Sequence, residues 1–441
     1  MSETWERSPS AVVLVVDRLS PAFLGPYGNT WLETATCCQL ASQGIVAETV
    51  VAHVPTLEGA YSAYWQGWPG VANTIASPSD AGASPKFPFL EAAKQSGRKL
   101  LLVTDDPQVT SLPGAEQFDE CLLVKQQNLL QPASEVEETP FANMAAEVVQ
   151  VLRSVQGPFL LWVHFRGMAE AWDAPPEFRN QFADEDDPLP GDFVQPPEQW
   201  IPKEFDPDEL LGVQHAYAGQ VSLLDLCLEE ILTAIDELPA ERQAMVALTS
   251  PRGYPLGEHL QIGSMHADLY SELIQLPLIV RHPQKYAQLT RVQELLQPAD
   301  LCTTLMEGLR LDLPVLISAA PSGGLFSLAF APQESQRSIA VCVSDDEWAV
   351  RTYAWQLRQK GSWKEQASVK KEASEEDAGE EESGELYVKP DDRFEVVEIA
   401  SRRLQIVPWL REAGRAFLAS LMAGKVQADL PQHPQLSDTW H

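Results

Sequence analysis

Short apolar runs alternate with amphipathic stretches along most of this chain. The apolar runs predict strands at Ala11–Val16, Ile45–Val51, Leu100–Thr104, Phe159–His164, Met245–Thr249 and Leu278–Arg281. Apolar positions at the helical repeat predict helices at Trp31–Gln43, Pro88–Gln95, Ala142–Val155, Glu209–Leu238 and Ala299–Leu309. Because strands alternate with helices, the sequence favours an α/β fold in which helices cover a central sheet.

The pattern changes after about Ser335. Ser338–Val343 and Glu347–Leu357 alternate like strands of an antiparallel sheet, and Trp409–Met422 has one apolar face, as in an amphipathic helix. The change predicts an α/β domain at residues 1–330, a small α+β subdomain at 331–425 and a loose tail at 426–441.

Two polar segments interrupt this order. Trp172–Pro207 is rich in Pro and Asp, which predicts an irregular surface excursion. Residues 366–384 are almost purely charged and small, and because they have nothing to bury we expect a disordered acidic insert. The acidic runs at Asp184–Asp187 and Lys370–Glu385 could meet a basic protein partner, although runs of charge usually serve as solvated surface.

Charge limits the classes of partner. The 441 residues carry a formal net charge of −32, and 44% of them are hydrophobic, enough for a sizeable core. Neutralising phosphates requires a basic footprint, so we expect neither nucleic acid nor an anionic membrane surface as a partner.

The cysteines and the N-terminal residues favour a cytoplasmic protein. The six cysteines are dispersed and form no C-x-x-C pair, which is typical of reduced thiols. The apolar run at Ala11–Val16 is too short for a signal sequence or a membrane span.

Several motifs stand in an order that points to one family. Asp17 follows the first predicted strand, and Tyr27-Gly28-Asn29 and Leu40-Ala-Ser-Gln-Gly44 come after it. Far downstream, Thr249-Ser250 and Leu256-Gly-Glu-His259 form a late motif. From about Ala11 to about Ala400, the chain resembles the sulfatase family of the alkaline phosphatase-like superfamily. The resemblance implies a three-layer α/β/α sandwich with a mixed, mostly parallel sheet, followed by a small antiparallel sheet with a helix.

The resemblance also implies a nucleophile, at a position where this chain holds leucine. The family places it ten residues before a turn glycine, here Gly67, and counting back gives Leu57. Leucine cannot attack sulfur or phosphorus, and the family's nearby Pro and Arg positions hold Gly59 and Tyr61. Thr56 would be a nucleophile if the register slipped by one residue. A threonine at a helix start is more often an N-cap, which is the interpretation we favour.

The family's calcium site is similarly depleted. Of its four acidic or amide ligand positions, Asp17 remains, while Arg18, Pro251 and Arg252 occupy the others. Calcium takes about six to eight oxygen ligands, so we expect no metal and no cofactor here. The family's substrate-binding lysine falls at His266.

Two interpretations of this vestigial pocket follow. Arg18 and Arg252 could bind a small oxyanion in place of the metal, or Asp17 could pair with one of them, which we favour because a buried carboxylate beside arginines is usually paired. The sequence thus predicts a catalytically inactive pseudo-sulfatase with a binding or assembly role. The alternatives are an active metal-dependent hydrolase of sulfuric or phosphoric esters with an atypical site, and a structural remnant without a ligand.

Overall fold

A computed structural model describes residues 9–67, 87–126, 130–184, 187–188, 190–202, 204–264, 268–311, 323–331, 337–364 and 384–422. The predicted tail, His266 and the predicted acidic insert apart from Gly384 lie outside these ranges.

The described strands follow the predicted apolar runs closely. They are β1 (Ser10–Val16), β2 (Ile45–Val51), β3 (Lys99–Thr104), β4 (Glu120–Leu123), β5 (Phe159–Phe165), β6 (Gln199–Trp200), β7 (Ala244–Thr249), β8 (Gln261–Ile262), β9 (Gln275–Leu276), β10 (Leu278–Arg281), β11 (Thr290–Leu296), β12 (Ala340–Val343), β13 (Glu347–Arg351), β14 (Trp355–Lys360) and β15 (Glu385–Val388).

The described α-helices lie between them. They are α1 (Ala35–Ser42), α2 (Leu57–Gln66), α3 (Pro88–Gln95), α4 (Pro107–Thr110), α5 (Pro140–Ser154), α6 (Pro176–Asn180), α7 (Pro207–Asp236), α8 (Ser271–Ile274), α9 (Ala299–Leu309), α10 (Leu325–Phe330) and α11 (Ile406–Met422).

The large sheet is mixed and mostly parallel, as predicted. Its order is β11-β2-β10-β7-β1-β5-β3-β4, with β9 added to β2. β1 pairs in parallel with both β5 and β7, whereas β10 and β9 run antiparallel to their neighbours. All seven residues of β1 are buried, because helices cover both faces of such a sheet and the strand therefore reads as a continuous apolar run.

Helices on the two faces complete the three layers. On one face α7 lies against α5, and it buries Val221, Leu224 and Ile231 in the core of that side. On the other face α2, α3 and α9 contribute Tyr61, Phe89 and Leu305 to a second core. The predicted three-layer α/β/α sandwich is confirmed.

The C-terminal residues form the second sheet, of order β12-β13-β14-β15 and antiparallel throughout. α11 packs on it through an apolar face that includes Leu410 and Leu418. This matches the predicted small antiparallel sheet with a helix.

Two predicted elements differ most from the structure, and side chains explain both differences. The helix expected from Trp31 begins at Ala35, since the Asn29 side chain accepts hydrogen bonds from the amides of Trp31 and Leu32 and holds a turn there. The strand expected over Glu347–Leu357 is two strands, because Thr352 and Trp355 close a tight turn between β13 and β14.

Candidate functional site

Four parallel strands bring polar residues to one edge of the large sheet. Asp17 follows β1, Asp105 and Asp106 follow β3, His164 lies near the end of β5, and Ser250 follows β7. In α/β sheets the carboxyl ends of the strands are where ligands bind. The motifs quoted from the sequence therefore meet at the expected place.

Asp17 is held by Arg252 through two hydrogen bonds. Arg252 Nε donates to Asp17 Oδ1 at 3.0 Å, and Nη2 donates to Oδ2 at 2.8 Å. The Asp17 side chain is 1% exposed and that of Arg252 is 19% exposed. Burial alone would raise the pKa of the Asp17 carboxyl, but the charge and hydrogen bonds of Arg252, helped by Arg18, outweigh it and the pKa is lowered. Asp17 is therefore a carboxylate whose two oxygens are both occupied.

The Arg252 loop is fixed by the residues around it. The Ser250 hydroxyl donates to the Arg252 carbonyl at 2.6 Å and accepts the Leu19 amide at 3.2 Å. Tyr64 of α2 donates its hydroxyl to the Ser250 carbonyl at 3.0 Å. Pro251 lies between these anchored residues and offers no side-chain donor. These hydrogen bonds hold the turn that presents Arg252 to Asp17.

Arg18 has a different partner. Its Nη1 binds Glu198 Oε1 at 2.7 Å, and its guanidinium lies 5.5 Å from the centre of the Tyr254 ring. The Arg18 backbone has a φ of 61°, an uncommon value for a residue with a side chain, and its carbonyl accepts the Tyr217 hydroxyl at 2.7 Å. Glu198 comes from the irregular excursion, so nothing in the sequence near Arg18 could have indicated it.

The position that the resemblance assigns to the nucleophile is filled by packing residues. Thr56 is the N-cap of α2, and its hydroxyl accepts the Gly59 amide at 3.1 Å. Leu57 opens the helix and is buried in the core. The threonine hydroxyl therefore serves the helix end, and the side chain that follows it is apolar.

A buried aromatic residue occupies the position that the resemblance assigns to an arginine. The Tyr61 hydroxyl lies 2.7 Å from His164 Nδ1 and accepts from Trp162 Nε1 at 3.3 Å. Burial lowers the pKa of His164 to about 4, although Asp17 and Asp106 oppose the shift. The imidazole is thus neutral near pH 7, and its Nδ1 shares a hydrogen bond with the Tyr61 hydroxyl. His164 Nε2 is 3.8 Å from Asp106 Oδ2.

His259 acts as a positioning residue for its loop. Its Nδ1 lies 2.5 Å from Glu272 Oε1, its ring stacks on Tyr270 with 3.4 Å between centroids, and its Nε2 is 3.2 Å from the Glu395 carbonyl. These contacts join the late motif to α8 and to the C-terminal residues.

The donor atoms at Asp17 do not fit a calcium ion. A calcium ion would have to compete with a guanidinium for both carboxylate oxygens and would lie close to that positive charge. Within the described part of the chain, no group of three or more His, Cys, Asp or Glu side chains is arranged to hold a metal ion. No described helix has the length and apolar character that a membrane span requires.

A large part of the chain matches one known protein family. Residues 18–310 match the family model described as Sulfatase. Human iduronate 2-sulfatase is 31% identical over 128 residues, and the match covers 27% of this chain and 23% of that protein, so the chain spans less than a quarter of this curated relative.

Solved structures resemble almost the whole chain. The phosphonate monoester hydrolase of Agrobacterium radiobacter superposes with a TM-score of 0.71 at 16% identity, covering 96% of this chain and 97% of that one. A 2-O GAG sulfatase superposes with a TM-score of 0.70 at 15% identity, covering 98% and 96%. At such identities the likeness is one of fold.

Proposed function

The chain belongs to the sulfatase family, and from that premise we propose that it is a pseudo-sulfatase: a member without hydrolytic activity that acts through binding or assembly. The observation that supports this proposal most strongly is the bidentate ion pair between Arg252 and Asp17. A guanidinium occupies the carboxylate oxygens that a cation would need.

Electrostatics favours the ion pair over a bound cation. At about 4 Å two unit charges interact by about 4 kcal/mol at an effective dielectric constant of about 20, and a dication beside a guanidinium would be repelled about twice as strongly. Expelling Arg252 would instead break a largely buried pair. Either route makes metal binding at Asp17 unfavourable.

No described group near Asp17 combines nucleophilicity with access. The Thr56 hydroxyl caps α2, and Leu57 is apolar. The Tyr61 hydroxyl and His164 resemble an activated pair, but Tyr61 is 1% exposed and burial raises the pKa of its phenol well above the ordinary value. Among the residues that the structure describes, a substrate therefore meets no accessible oxygen nucleophile at this edge of the sheet.

We also propose a cytoplasmic location. All six cysteines are free, and Cys37, Cys227, Cys302 and Cys342 are buried. A buried thiol that forms no disulfide is typical of a reducing compartment.

An oxyanion at Arg18 and Arg252 remains the weaker binding proposal. Each guanidinium already has a carboxylate partner, Glu198 for Arg18 and Asp17 for Arg252. An incoming anion would have to compete with both of these ion pairs.

The test uses the purified full chain with aryl sulfate and aryl phosphate esters, each with calcium, zinc or manganese. We expect the wild type to show no turnover above that of Asp17→Ala, and no heat when calcium is titrated into it. We expect Arg252→Ala to lower the free energy of unfolding by about 3 kcal/mol, because it leaves a buried carboxylate unpaired. Metal-dependent turnover that Asp17→Ala abolishes would establish the alternative, an active hydrolase with an atypical site.

A further inference from the structure

A second concave site lies where the large sheet meets the small one. Its wall comes from β2, from β9 and β11 beside it, and from the small sheet and the loop after β15. The lining residues are Tyr27, Glu48, Thr49, Ser271, Gln275, Arg291, Arg351, Lys389, Pro390 and Arg393. We call this cavity the seam pocket.

The seam pocket is separate from the Asp17–Arg252 pair. Along the sheet, β2 is three strands from β1, with β10 and β7 between them. Neighbouring strands are about 4.8 Å apart, so the two sites are separated by about 14 Å across the sheet. Neither Asp17 nor Arg252 lines the pocket.

The charge of the seam pocket is opposite to that of the chain. The protein has 31 Lys and Arg residues against 63 Asp and Glu. Yet the pocket lining contains Arg291, Arg351, Lys389 and Arg393 with Glu48 as its one carboxylate. A concave surface that gathers cations in an acidic protein focuses a positive potential, which attracts anions.

Two of the four cations form ion pairs with carboxylates. Lys389 Nζ lies 2.7 Å from Glu395 Oε1 and donates to the carbonyls of Asp392 and Arg393 at 2.9 and 3.1 Å. Arg291 Nη1 is 3.5 Å from Glu48 Oε1, and its Nη2 donates to the Pro26 carbonyl at 2.6 Å. Lys389 thus holds the loop, and Arg291 offers a partly compensated charge at the rim.

The charges of the other two cations, Arg351 and Arg393, are less fully compensated. Arg351 Nη1 reaches the Trp355 carbonyl at 3.4 Å, and neither Arg351 nor Arg393 forms an ion pair with any residue that the structure describes. Arg393 stands 5.7 Å from the centre of the Phe394 ring. Burial lowers the pKa of Arg351 to about 10, with Glu395 opposing the shift, so the guanidinium stays charged near pH 7. Arg351 is half-buried, and a buried charge without an ion-pair partner is costly, so a bound anion would lower that cost, whereas no such cost applies to the exposed Arg393.

We propose that the seam pocket binds a small oxyanion, phosphate or sulfate, either free or as the charged group of a monoester. Arg351 and Arg393 contact the anion, Arg291 adds charge at the rim, and Thr49 supplies a hydroxyl. Arginine side chains bind such anions through paired N–H groups. The cavity of about 240 Å³ is smaller than the usual pocket for a drug-sized ligand, which favours a small anion.

The experiment is calorimetric titration of the full chain with inorganic phosphate and, separately, inorganic sulfate at low ionic strength. We expect saturable binding that weakens as sodium chloride is added, because added salt screens the attraction. Arg393→Gln and Arg351→Gln should each weaken binding by about tenfold. Arg351→Lys keeps the charge but not the paired donors, so it should lie between Arg351→Gln and the wild type. An aryl phosphate and an aryl sulfate tested beside the free anions show which source of the group binds more tightly.

Two controls separate this site from others. Arg153→Gln removes an exposed arginine on α5 and should leave binding unchanged. Arg252→Gln should also leave anion binding unchanged. The test of the seam pocket therefore does not depend on whether the Asp17 site is catalytically inactive. Lack of binding to the wild type at millimolar phosphate and sulfate would overturn the proposal. So would binding that both Arg393→Gln and Arg351→Lys retain in full, or binding that Arg252→Gln abolishes.

Discussion

At the scale of single residues, His164 is the group whose burial has the clearest consequence. It is fully buried, its Nδ1 lies 2.7 Å from the Tyr61 hydroxyl, and burial lowers its pKa to about 4. In an unfolded chain a histidine has a pKa of about 6.5. The unfolded state therefore binds a proton between these two values while the folded state does not, and stability falls as the pH drops through that window.

We predict that His164→Gln flattens this part of the pH profile. Between pH 7.5 and pH 4.5, the wild type should lose about 3 kcal/mol more of its free energy of unfolding than the variant does. The measurement is urea unfolding at several pH values. Asp105 is the matched control of opposite sign, because burial raises its pKa to about 7 and a folded carboxyl that binds protons gains stability as the pH falls. Asp105→Asn should therefore make the acid-side loss steeper. Equal profiles for the wild type and His164→Gln would contradict the assignment.

The sequence indicated much of the site, including a pair between Asp17 and an arginine, but not the partners of Arg18 and His164. Thr56 could be interpreted as an N-cap because a threonine before a helix usually is one, and the meeting of Asp17 with Arg252 follows from strands that end at the same edge. Glu198 could not be anticipated, since it comes from an irregular segment 180 positions away from Arg18. The resemblance drew attention to Tyr61 only because it implies an arginine at that position. The hydrogen bond between Tyr61 and His164 depends on tertiary packing, which the sequence does not reveal.

At the scale of elements, α11 depends on a close approach to the small sheet. A Cβ added at Gly414 would lie 2.5 Å from Trp348 Cζ3 and 2.6 Å from Val350 Cγ2. Both neighbours are buried core side chains, so neither can move aside easily. The helix therefore needs glycine at its contact point, although glycine is a poor helix former.

We predict that Gly414→Ala destabilises the protein by about 1–3 kcal/mol, because overpacking outweighs the gain in helix propensity. Gly212 in α7 is the matched control: a Cβ there would meet nothing nearer than Pro190 Cα at 3.8 Å. Gly212→Ala should therefore stabilise by up to about 1 kcal/mol. Both are measured by denaturant unfolding, and stabilisation by Gly414→Ala would refute this packing.

The accuracy of the predicted elements follows from burial. Strands such as β1 and β5 are apolar along their whole length, so their limits were predictable to within one residue. The start of α1 and the break between β13 and β14 were missed because side-chain hydrogen bonds from Asn29 and Thr352 set them. Local polar contacts of this kind leave little trace in a hydrophobic pattern.

At the scale of the whole molecule, Arg358 joins the small sheet to the large domain. It lies on β14, binds Glu347 at 2.6 Å within the small sheet and reaches Asp268 at 3.1 Å across the boundary. Its guanidinium also stacks 3.3 Å from the centre of the Tyr270 ring, and Glu347 accepts the Leu269 amide at 2.8 Å. One buried cation thus binds carboxylates of both the small sheet and the large domain. The sequence patterns of the two parts, taken separately, could not indicate this contact.

We predict that Arg358→Met separates the unfolding of the small subdomain from that of the large domain. The variant removes the cation and leaves the buried Glu347 carboxylate without it, a change that costs about 3–5 kcal/mol for a buried pair. The loss falls on the contacts between the two sheets, whereas the core of the large sheet is untouched. Differential scanning calorimetry should therefore show one transition for the wild type and a new, earlier transition for Arg358→Met.

Arg358→Lys tests which property of the arginine matters for this junction. A lysine keeps the charge but cannot bind Glu347 and Asp268 through separate nitrogens while stacking on Tyr270. Arg358→Lys should therefore be more stable than Arg358→Met, and its two unfolding transitions should lie closer together. Arg358→Met could instead unfold in a single transition at a lower temperature, which would contradict the prediction. The two sheets would then form one cooperative unit. The division proposed at residue 331 would describe the chain's topology but not its folding.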